Sequence, residues 1–217
     1  MSDASGTSAY SYDQLGDVIN ENRTINGITK SLSYDYNLDG SVGGIVYPSG
    51  RSIGYVYSAA QRPIQATDDT DGIYIASEAH YAPQGALSFV NIGPSINFIN
   101  EGFDYNNRLQ MTSEGATVNS SGTQIFDLQY GMPGSGYNND EIQSVVNGLD
   151  NGRTTSVTYD TLNRLSTAHS QATSGPDCWG QSYGYDRWAN LISVNVTQCT
   201  GSSLALTVIN NQITDSG

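Results

Sequence analysis

The chain has 217 residues, of which 37% are hydrophobic, and it contains 24 glycines and 15 tyrosines. It carries 21 acidic residues against 8 lysines and arginines, a formal net charge of −13 at pH 7. Because binding to nucleic acid or to an anionic membrane surface requires clustered cations, this balance argues against both partners. No stretch approaches the roughly 18 apolar residues of a membrane span, so we expect none.

Copies of one seven-residue pattern recur along the chain. Each copy has an aromatic residue, Asp, two variable residues, a small residue, a polar residue and an aliphatic residue, as in the segment from Tyr185 to Leu191. Some copies are clear, and others keep only the spacing. The lead aromatics are Tyr12, Tyr36, Tyr57, Tyr81, Phe103, Tyr130, Tyr159 and Tyr185. This recurrence predicts a single array of about eight repeats over residues 1–217.

Each copy is predicted to form a β-hairpin. Residues before the aromatic alternate, so that Thr155, Val157 and Tyr159 share one face. The Asp side chain can bond its own backbone and open a turn, and a Gly, Ala or Asn four positions after the aromatic can take a positive φ. The residues expected to hold these hairpins are Tyr12, Asp13, Gly16, Tyr36, Gly40, Tyr57, Tyr81, Gly85, Phe103, Asp104, Arg108, Tyr130, Tyr159, Asp160, Arg164, Tyr185, Asp186 and Asn190.

The series of hairpins favours an all-β fold. Each repeat supplies two strands, so about 16 strands are expected to follow one another in a continuous antiparallel sheet. Open sheets of more than about 10 strands usually curl or split. We therefore expect this long sheet to curl. In the copy that begins at Tyr130, the turn is expected to be lengthened through Gly134, Gly136 and Asn139.

The segments 159–168, 81–87 and 178–186 resemble the YD repeats of the RHS family, which also occur in teneurins and in shell components of bacterial Tc toxins. The resemblance covers nearly the whole chain. It implies a spiralling β-sheet that walls a hollow cocoon, often around a C-terminal toxin, and it implies carbohydrate or cell-surface binding for some members. The family's Asp-Pro cleavage motif has no counterpart, because the chain contains no Asp-Pro dipeptide.

Cys178 and Cys199 are the only cysteines. If the hairpin turn is centred on residues 187–190, each cysteine lies seven residues from Tyr185 or Ile192, which are predicted to face each other. This register places Cys178 opposite Cys199, and opposed non-hydrogen-bonded residues have Cα atoms about 4.5 Å apart, within reach of a disulfide. We predict a disulfide, which implies an oxidising compartment. Two buried thiols are the alternative.

Catalytic and metal sites find little support in the sequence. His80 and His169 are the only histidines, both lie in strand-like runs, and there is no Gly-x-Ser-x-Gly elbow. The cysteines and histidines lack zinc-finger spacing, and Asp68, Asp69 and Asp71 lack the distal Glu of a calcium loop. We expect no catalytic residue, no metal and no cofactor, and therefore no enzyme.

The aromatic residues raise carbohydrate binding as an alternative function, because aromatic faces stack on sugar rings. The tyrosines have a fixed place in every hairpin, which favours a structural role in cross-strand packing. Trp179 and Trp188 depart from the repeat pattern, and they are the candidate ligand-binding residues.

The sequence predicts a structural segment at an extracellular or cell-surface location. Its composition, rich in Ser, Thr, Asn and Gln with one lysine, Lys30, favours this location. Residues 1–6 lack the basic and apolar regions of a signal peptide, so we expect either that the export signal was removed or that the chain is a fragment of a longer protein. The expected partner is another copy of the chain, joined head to tail through open sheet edges near Tyr12 and Leu206 into a tube or fibre. Glycans and an encapsulated polypeptide are the alternative partners.

Overall fold

The computed structural model describes residues 2–3, 5–133, 139–209 and 211–214. The first ten strands are β1 (Ser2–Asp3), β2 (Gly6–Tyr12), β3 (Val18–Ile25), β4 (Ile28–Tyr36), β5 (Val42–Val46), β6 (Ser52–Tyr57), β7 (Pro63–Asp68), β8 (Ile73–Tyr81), β9 (Leu87–Ile92) and β10 (Ile99–Tyr105). The next ten are β11 (Met111–Val118), β12 (Thr123–Gly131), β13 (Ser144–Asn147), β14 (Thr155–Tyr159), β15 (Leu165–Ser170), β16 (Gly180–Tyr185), β17 (Leu191–Gln198), β18 (Leu204–Ala205), β19 (Val208–Ile209) and β20 (Gln212–Ile213). A short 3₁₀ helix, Asn151–Arg153, precedes β14.

Within the described part of the chain, β1 to β18 form one 18-stranded sheet, and β19 pairs with β20 in a small separate sheet. Strands that follow one another in the sequence pair antiparallel, as β2 does with β3 and β16 with β17. This topology confirms the prediction of an all-β chain built as a continuous antiparallel sheet. Among the residues described, no helix has the length and apolar character needed to cross a membrane.

The chain divides into two compact units. Residues 1–102 and 117–123 form the first unit, and residues 103–116 and 124–217 form the second. Hairpins that turn directly after a tyrosine occur in both units. The assignment of residues 1–217 to a single repeat array stays a prediction.

A bulge at each hairpin tip explains the seven-residue spacing of the pattern. The strand register shifts by one residue at the lead tyrosine, which therefore faces the residue six positions later. These cross-strand pairs are Tyr12–Val18, Tyr36–Val42, Tyr57–Pro63, Tyr81–Leu87, Tyr159–Leu165 and Tyr185–Leu191. The aliphatic residue or proline that ends each copy is thus the partner of the tyrosine that begins it.

The residue after the tyrosine closes the turn. Asp160 Oδ1 accepts the backbone N–H groups of Leu162 and Arg164 at 2.8 and 3.0 Å, which is the local Asp-to-backbone bonding that opens turns. Asn163, four residues after the tyrosine, has a φ of 59°. A positive φ at this place is shared by Gly16, Gly40, Gln61, Gly85, Leu109 and Ala189.

The fifth hairpin turns two residues later than the pattern predicts, which corrects the assignment of Phe103, Asp104 and Arg108. Phe103 and Asp104 lie inside β10, and Asp104 accepts a hydrogen bond from the Ser113 hydroxyl at 2.7 Å. Arg108 lies within the turn, where its N–H donates to Asn106 Oδ1 at 2.9 Å. The lead aromatic of this hairpin is therefore the residue before Asn106.

That residue is Tyr105, and the two-residue shift has a simple physical cause. Side chains alternate with a period of two, so a shift by two residues leaves every side chain on its original face, and alternation cannot distinguish the registers. Asn106 also provides the same acceptor oxygen as an Asp. The energetic cost of the shifted register is confined to the turn, where Leu109 rather than Asn107 takes the positive φ, at 67°.

Tyr130 does not begin a turn, which corrects its assignment as a lead aromatic. Strand β12 continues to Gly131, which faces Ser144, and the Tyr130 hydroxyl donates to Glu114 Oε2 at 3.4 Å. Burial, together with the Glu114 carboxylate, raises the pKa of Tyr130. The connection from β12 to β13 is long, but the predicted turn residues Gly134 and Gly136 lie outside the described residues.

One face of the first unit's sheet is rich in aromatic and aliphatic side chains, and the other is rich in amide and hydroxyl groups. Cross-strand pairs place Tyr34 with Ile45, Ile45 with Ile53, and Tyr55 with Ala66; we call this side the aromatic face. On the other side, amide and hydroxyl groups bond one another across strands. Examples are Asn20 with Ser31 and Ser33, and Thr24 with Thr29. This alternation is that of an antiparallel sheet whose two faces meet different surroundings.

Candidate functional site

The lead tyrosines link each hairpin to the hairpin before it. In the first unit the Tyr36 hydroxyl donates to the Val18 carbonyl and the Tyr57 hydroxyl to the Val42 carbonyl, both at 2.9 Å. The Tyr81 hydroxyl donates to the Pro63 carbonyl. Each acceptor is the residue that faces the lead tyrosine of the preceding copy. We call this hydroxyl-to-carbonyl bond a tyrosine clasp.

The second unit repeats the tyrosine clasp. The Tyr159 hydroxyl donates to the Ile142 carbonyl, and the Tyr185 hydroxyl donates to the Leu165 carbonyl, both at 2.9 Å. Leu165 is the cross-strand partner of Tyr159, as the rule in the first unit requires. The clasp uses a half-buried ring and a polar tip, which is how tyrosine combines packing with one directional bond.

An arginine reinforces two of the clasps. The guanidinium carbon of Arg164 lies 4.6 Å from the ring centroid of Tyr185 in the next copy, and Nη2 lies 2.6 Å from Asp160 Oδ2. Arg62 occupies the same position, five residues after Tyr57, and its guanidinium carbon lies 5.4 Å from the Tyr81 ring. A cation over an aromatic face contributes about 0.5–1 kcal/mol at exposed sites. The polar residue of the pattern therefore also bonds between copies.

Hydrogen bonds within the hairpin lower the pKa values of two turn acids, Asp160 and Asp186. The backbone N–H of Arg164, followed by its guanidinium, keeps the pKa of Asp160 below its ordinary value. The Asn190 side chain, followed by backbone N–H groups, does the same for the pKa of Asp186. Asn190 Nδ2 also donates to Asn211 Oδ1 at 2.7 Å. These carboxylates complete turns, and their hydrogen bonds account for their role.

Within the described residues, the first lead tyrosine, Tyr12, lacks a clasp acceptor, and the Leu191 carbonyl lacks a clasp donor. The Tyr12 side chain is 58% exposed, and among the residues that the structure describes its hydroxyl has no acceptor. At the other end, β18 pairs with β17 through Ser193–Ala205 and Val194–Leu204. Extending this register puts Val208 where a lead tyrosine would donate to the Leu191 carbonyl. Valine has no donor, so that carbonyl receives no clasp within the described part.

The structure joins Cys178 and Cys199 in a disulfide, with Cα atoms 5.9 Å apart. The register differs from the symmetric one predicted. Tyr183 faces Val194, as that symmetry requires, but bulges at both ends of the strand pair shift Tyr185 to Leu191 and Gly180 to Gln198. Both cysteines lie just outside β16 and β17. The disulfide therefore closes the open end of the hairpin rather than bridging two ladder residues.

The two tryptophans lie at opposite ends of the β16–β17 hairpin. Trp179 is half-buried, and its backbone bonds Ser170 at 2.9 Å through its carbonyl, so it is part of the strand packing. Trp188 is 63% exposed at the tip, with the Arg187 guanidinium carbon 5.0 Å from its ring centroid. The structure does not bring the two rings together, and of the two only Trp188 is exposed.

The histidines and turn aspartates lie in separate surroundings. His80 packs edge-on against Phe89 with ring centroids 5.8 Å apart, and His169 faces Gly180 in the sheet. Asp68 accepts from Arg51 Nε at 2.6 Å, and this bond is the main cause that lowers the pKa of Asp68. Among the described residues no group of three or more potential metal ligands comes together.

A groove of about 890 Å³ lies on the aromatic face of the first unit. Its lining includes Tyr47, Ile53, Tyr55 and Ala66, with Lys30 and Arg51 among its polar residues. Burial, together with the neighbouring Tyr47, raises the pKa of Tyr55, so this phenol stays neutral. Sequence reasoning did not find this groove, because its residues come from four strands that no local pattern connects.

Comparisons with known proteins identify the fold. No protein-family model matches the chain, and no curated protein matches it. Among solved structures, the chain is similar to TcdB2-TccC3-Cdc42, with a TM-score of 0.80 at 15% identity over 96% of this chain and 12% of that chain. It is also similar to TcdB2-TccC3 without its hypervariable C-terminal region (TM-score 0.79, 15% identity, 96% and 12% covered). The similarity to TcdB2-TccC3 itself has a TM-score of 0.76 at 15% identity over 93% of this chain and 12% of that chain.

The chain spans 12% of the length of these solved chains. At 15% identity the likeness concerns the fold alone. The chain has the shell-like fold of the RHS/YD-repeat type, as seen in Tc toxin shells.

Proposed function

We propose that this chain is a non-enzymatic shell or scaffold segment that works outside the cell. The tyrosine clasp is the observation that carries the proposal, because it commits the most regular side chain of the sequence to holding neighbouring hairpins together. The described turn carboxylates are likewise engaged by backbone and arginine groups of their own or the next hairpin. The disulfide supports an oxidising, extracellular location.

We further propose that copies associate head to tail. Strand β2 has seven residues, and β1 pairs with Gly6 and Thr7 of it. Strand β17 has eight residues, whereas β18 covers two of them. An incoming β2 can therefore replace β18 along β17, and its Tyr12 hydroxyl would then meet the Leu191 carbonyl by the clasp rule. Because the two edges differ, the contact is heterologous and leads to a ring or an open filament.

Sedimentation analysis over a range of protein and salt concentrations tests this association. The net charge of −13 opposes contact, so assembly should strengthen as salt screens the repulsion. Tyr12→Phe should weaken association about fivefold, the loss of one hydrogen bond of about 1 kcal/mol. Tyr74→Phe, at an exposed tyrosine that begins no turn, is the matched control. A species that stays monomeric throughout eliminates self-association and leaves the scaffold role to be judged separately.

A polypeptide enclosed by the shell is the second candidate partner. It is supported by the similarity to TcdB2-TccC3 shells and by the apolar character of the aromatic face, which can cover an unfolded or partly folded chain. Purification of the protein from its natural producer, followed by mass spectrometry of bound polypeptides, tests the idea. Recovery of the chain with no bound polypeptide would contradict it.

Glycan binding at the exposed Trp188 is the third candidate, because an open indole face can stack on a sugar ring. A glycan array with the wild type and with Trp188→Ala tests it, and Trp179→Phe is the control at the packed tryptophan. Equal binding by wild type and Trp188→Ala would remove Trp188 from consideration.

A further inference from the structure

The groove on the aromatic face of the first unit has the make-up of a small-molecule site. Ligand pockets have volumes of about 300–1,000 Å³ and are lined mainly by apolar and aromatic groups, with a few polar groups that fix orientation. The volume of about 890 Å³ lies within that range. Ile53, Ala66, Ile75 and the rings of Tyr47 and Tyr55 supply the apolar wall, and the two tyrosines beside it take part in no clasp.

Positive charge gathers beside this apolar wall, although the chain as a whole is acidic. Lys30 and Arg51 line the groove, and Arg23 is the direct cross-strand partner of Lys30. These are three of the eight lysines and arginines in a chain of net charge −13. Like charges directly opposite on neighbouring strands destabilise a sheet. An anion bound beside Lys30 would relieve that repulsion.

The three cations leave donors available for such an anion. Among the described residues, neither Arg23 nor Lys30 lies within ion-pair distance of a carboxylate. Arg51 bonds Asp68 through Nε at 2.6 Å, and its side chain is 55% exposed, so this bond does not use the two terminal nitrogens. The bond to buried Asp68 also holds the Arg51 side chain in place at the groove.

We propose that this groove binds an anionic single-chain amphiphile. The carboxylate lies against Lys30 and Arg51, and the hydrocarbon chain lies along Ile53, Ala66 and Ile75. An oligosaccharide fits the lining less well, because a sugar exposes hydroxyl groups along its whole length, whereas Ile53, Ala66 and Ile75 offer no hydrogen-bonding side chain. The site does not depend on head-to-tail association.

Titration calorimetry with octanoate, decanoate and dodecanoate, each below its micelle-forming concentration, tests the site. Affinity should rise about three- to fourfold for each added methylene group, because each one transfers apolar surface from water to the groove. Dodecyltrimethylammonium has the same chain with the opposite charge, and it should bind at least tenfold more weakly than dodecanoate. Equal binding by the two dodecyl compounds would overturn the assignment, as would an affinity independent of chain length.

Variants separate a charge at this site from charge in general. Lys30→Gln should weaken dodecanoate binding about tenfold, the loss of one charge-assisted contact, and Lys30→Arg should preserve it. Arg187→Gln changes the net charge equally in a hairpin of the second unit, and it should bind like the wild type. Ala66→Phe should reduce binding by filling the groove. Equal losses for Lys30→Gln and Arg187→Gln would refute the site, and so would equal competition by a uronic-acid oligosaccharide.

Discussion

The hairpins that begin at Tyr12 and Tyr159 have nearly the same sequence signature and different structural roles. Both tyrosines are followed by Asp and both face an aliphatic residue six positions later. Tyr159 is half-buried and clasps the Ile142 carbonyl of the preceding hairpin, whereas Tyr12 is exposed and lacks such a bond within the described residues. A lead tyrosine therefore stabilises the contact with the hairpin before its own. Its own turn forms without the clasp.

Loss of the disulfide should have the largest effect on stability, and it acts in the second unit, which contains Tyr159. The double variant Cys178→Ser and Cys199→Ser should lower the free energy of unfolding by about 3 kcal/mol, because the bond closes a loop with a sequence separation of 21. Urea unfolding with and without reductant measures it. Reductant should leave the double variant unchanged. If reduction of the wild type leaves its unfolding midpoint unchanged, the bond has no stabilising role.

Truncating a clasped tyrosine should come next. Tyr185→Ala removes the ring, the Arg164 stack and the clasp to Leu165, and we expect a loss of about 2–3 kcal/mol, below the value for a fully buried aromatic. Tyr12→Ala is the matched control and should change stability by less than about 0.5 kcal/mol, as at a surface position. Thermal or urea unfolding compares the pair. Similar losses at both sites would show that the turn, and not the clasp, is the source of stability.

Removing the hydroxyl alone sharpens the comparison to one hydrogen bond. Tyr185→Phe keeps the ring over Arg164 and leaves the Leu165 carbonyl without its donor, so it should cost about 1 kcal/mol. Tyr12→Phe should have no measurable effect on the monomer. The difference between the two variants in urea unfolding isolates the clasp, and no difference would deny it an energetic role.

Acidification should have the smallest effect on stability, and it should lower it because it protonates the turn carboxylates. The folded-state pKa values of Asp160 and Asp186 lie below the ordinary value, so their contribution is complete above about pH 4 and is lost as pH falls through the folded values. Asp160→Asn should flatten this acid dependence. Unfolding measured from pH 6 down to pH 2 checks the sign, and a stability that rises on acidification would contradict it.

Much of the fold could be predicted because the repeat states it many times. The alternation before Tyr159, the turn acid Asp160 and the residue with positive φ at Asn163 are local features, and local physics places them. The register of the Phe103 copy was wrong, since Tyr105 followed by Asn106 satisfies the same local rules two residues later. Only the pairing of the whole strand decides between them.

The clasps and the groove could not be predicted for a different reason. The acceptor for Tyr185 is a backbone carbonyl 20 residues earlier, and a carbonyl has no signature in the sequence. The groove joins Lys30 to Ile75 across several strands, and its shape depends on the cross-strand register. The disulfide was partly predictable. The symmetry of the hairpin identified the two cysteines, but the bulges in the β16–β17 pair changed the strand register around them.

A backbone acceptor has a consequence for how such chains can change over time. The five acceptor residues of the observed clasps are Val18, Val42, Pro63, Ile142 and Leu165. No single side chain is common to all five, so the clasp requires a tyrosine donor but no particular acceptor side chain. A duplicated hairpin can therefore bond to its neighbour in the same way, because the acceptor is a backbone carbonyl that every residue carries.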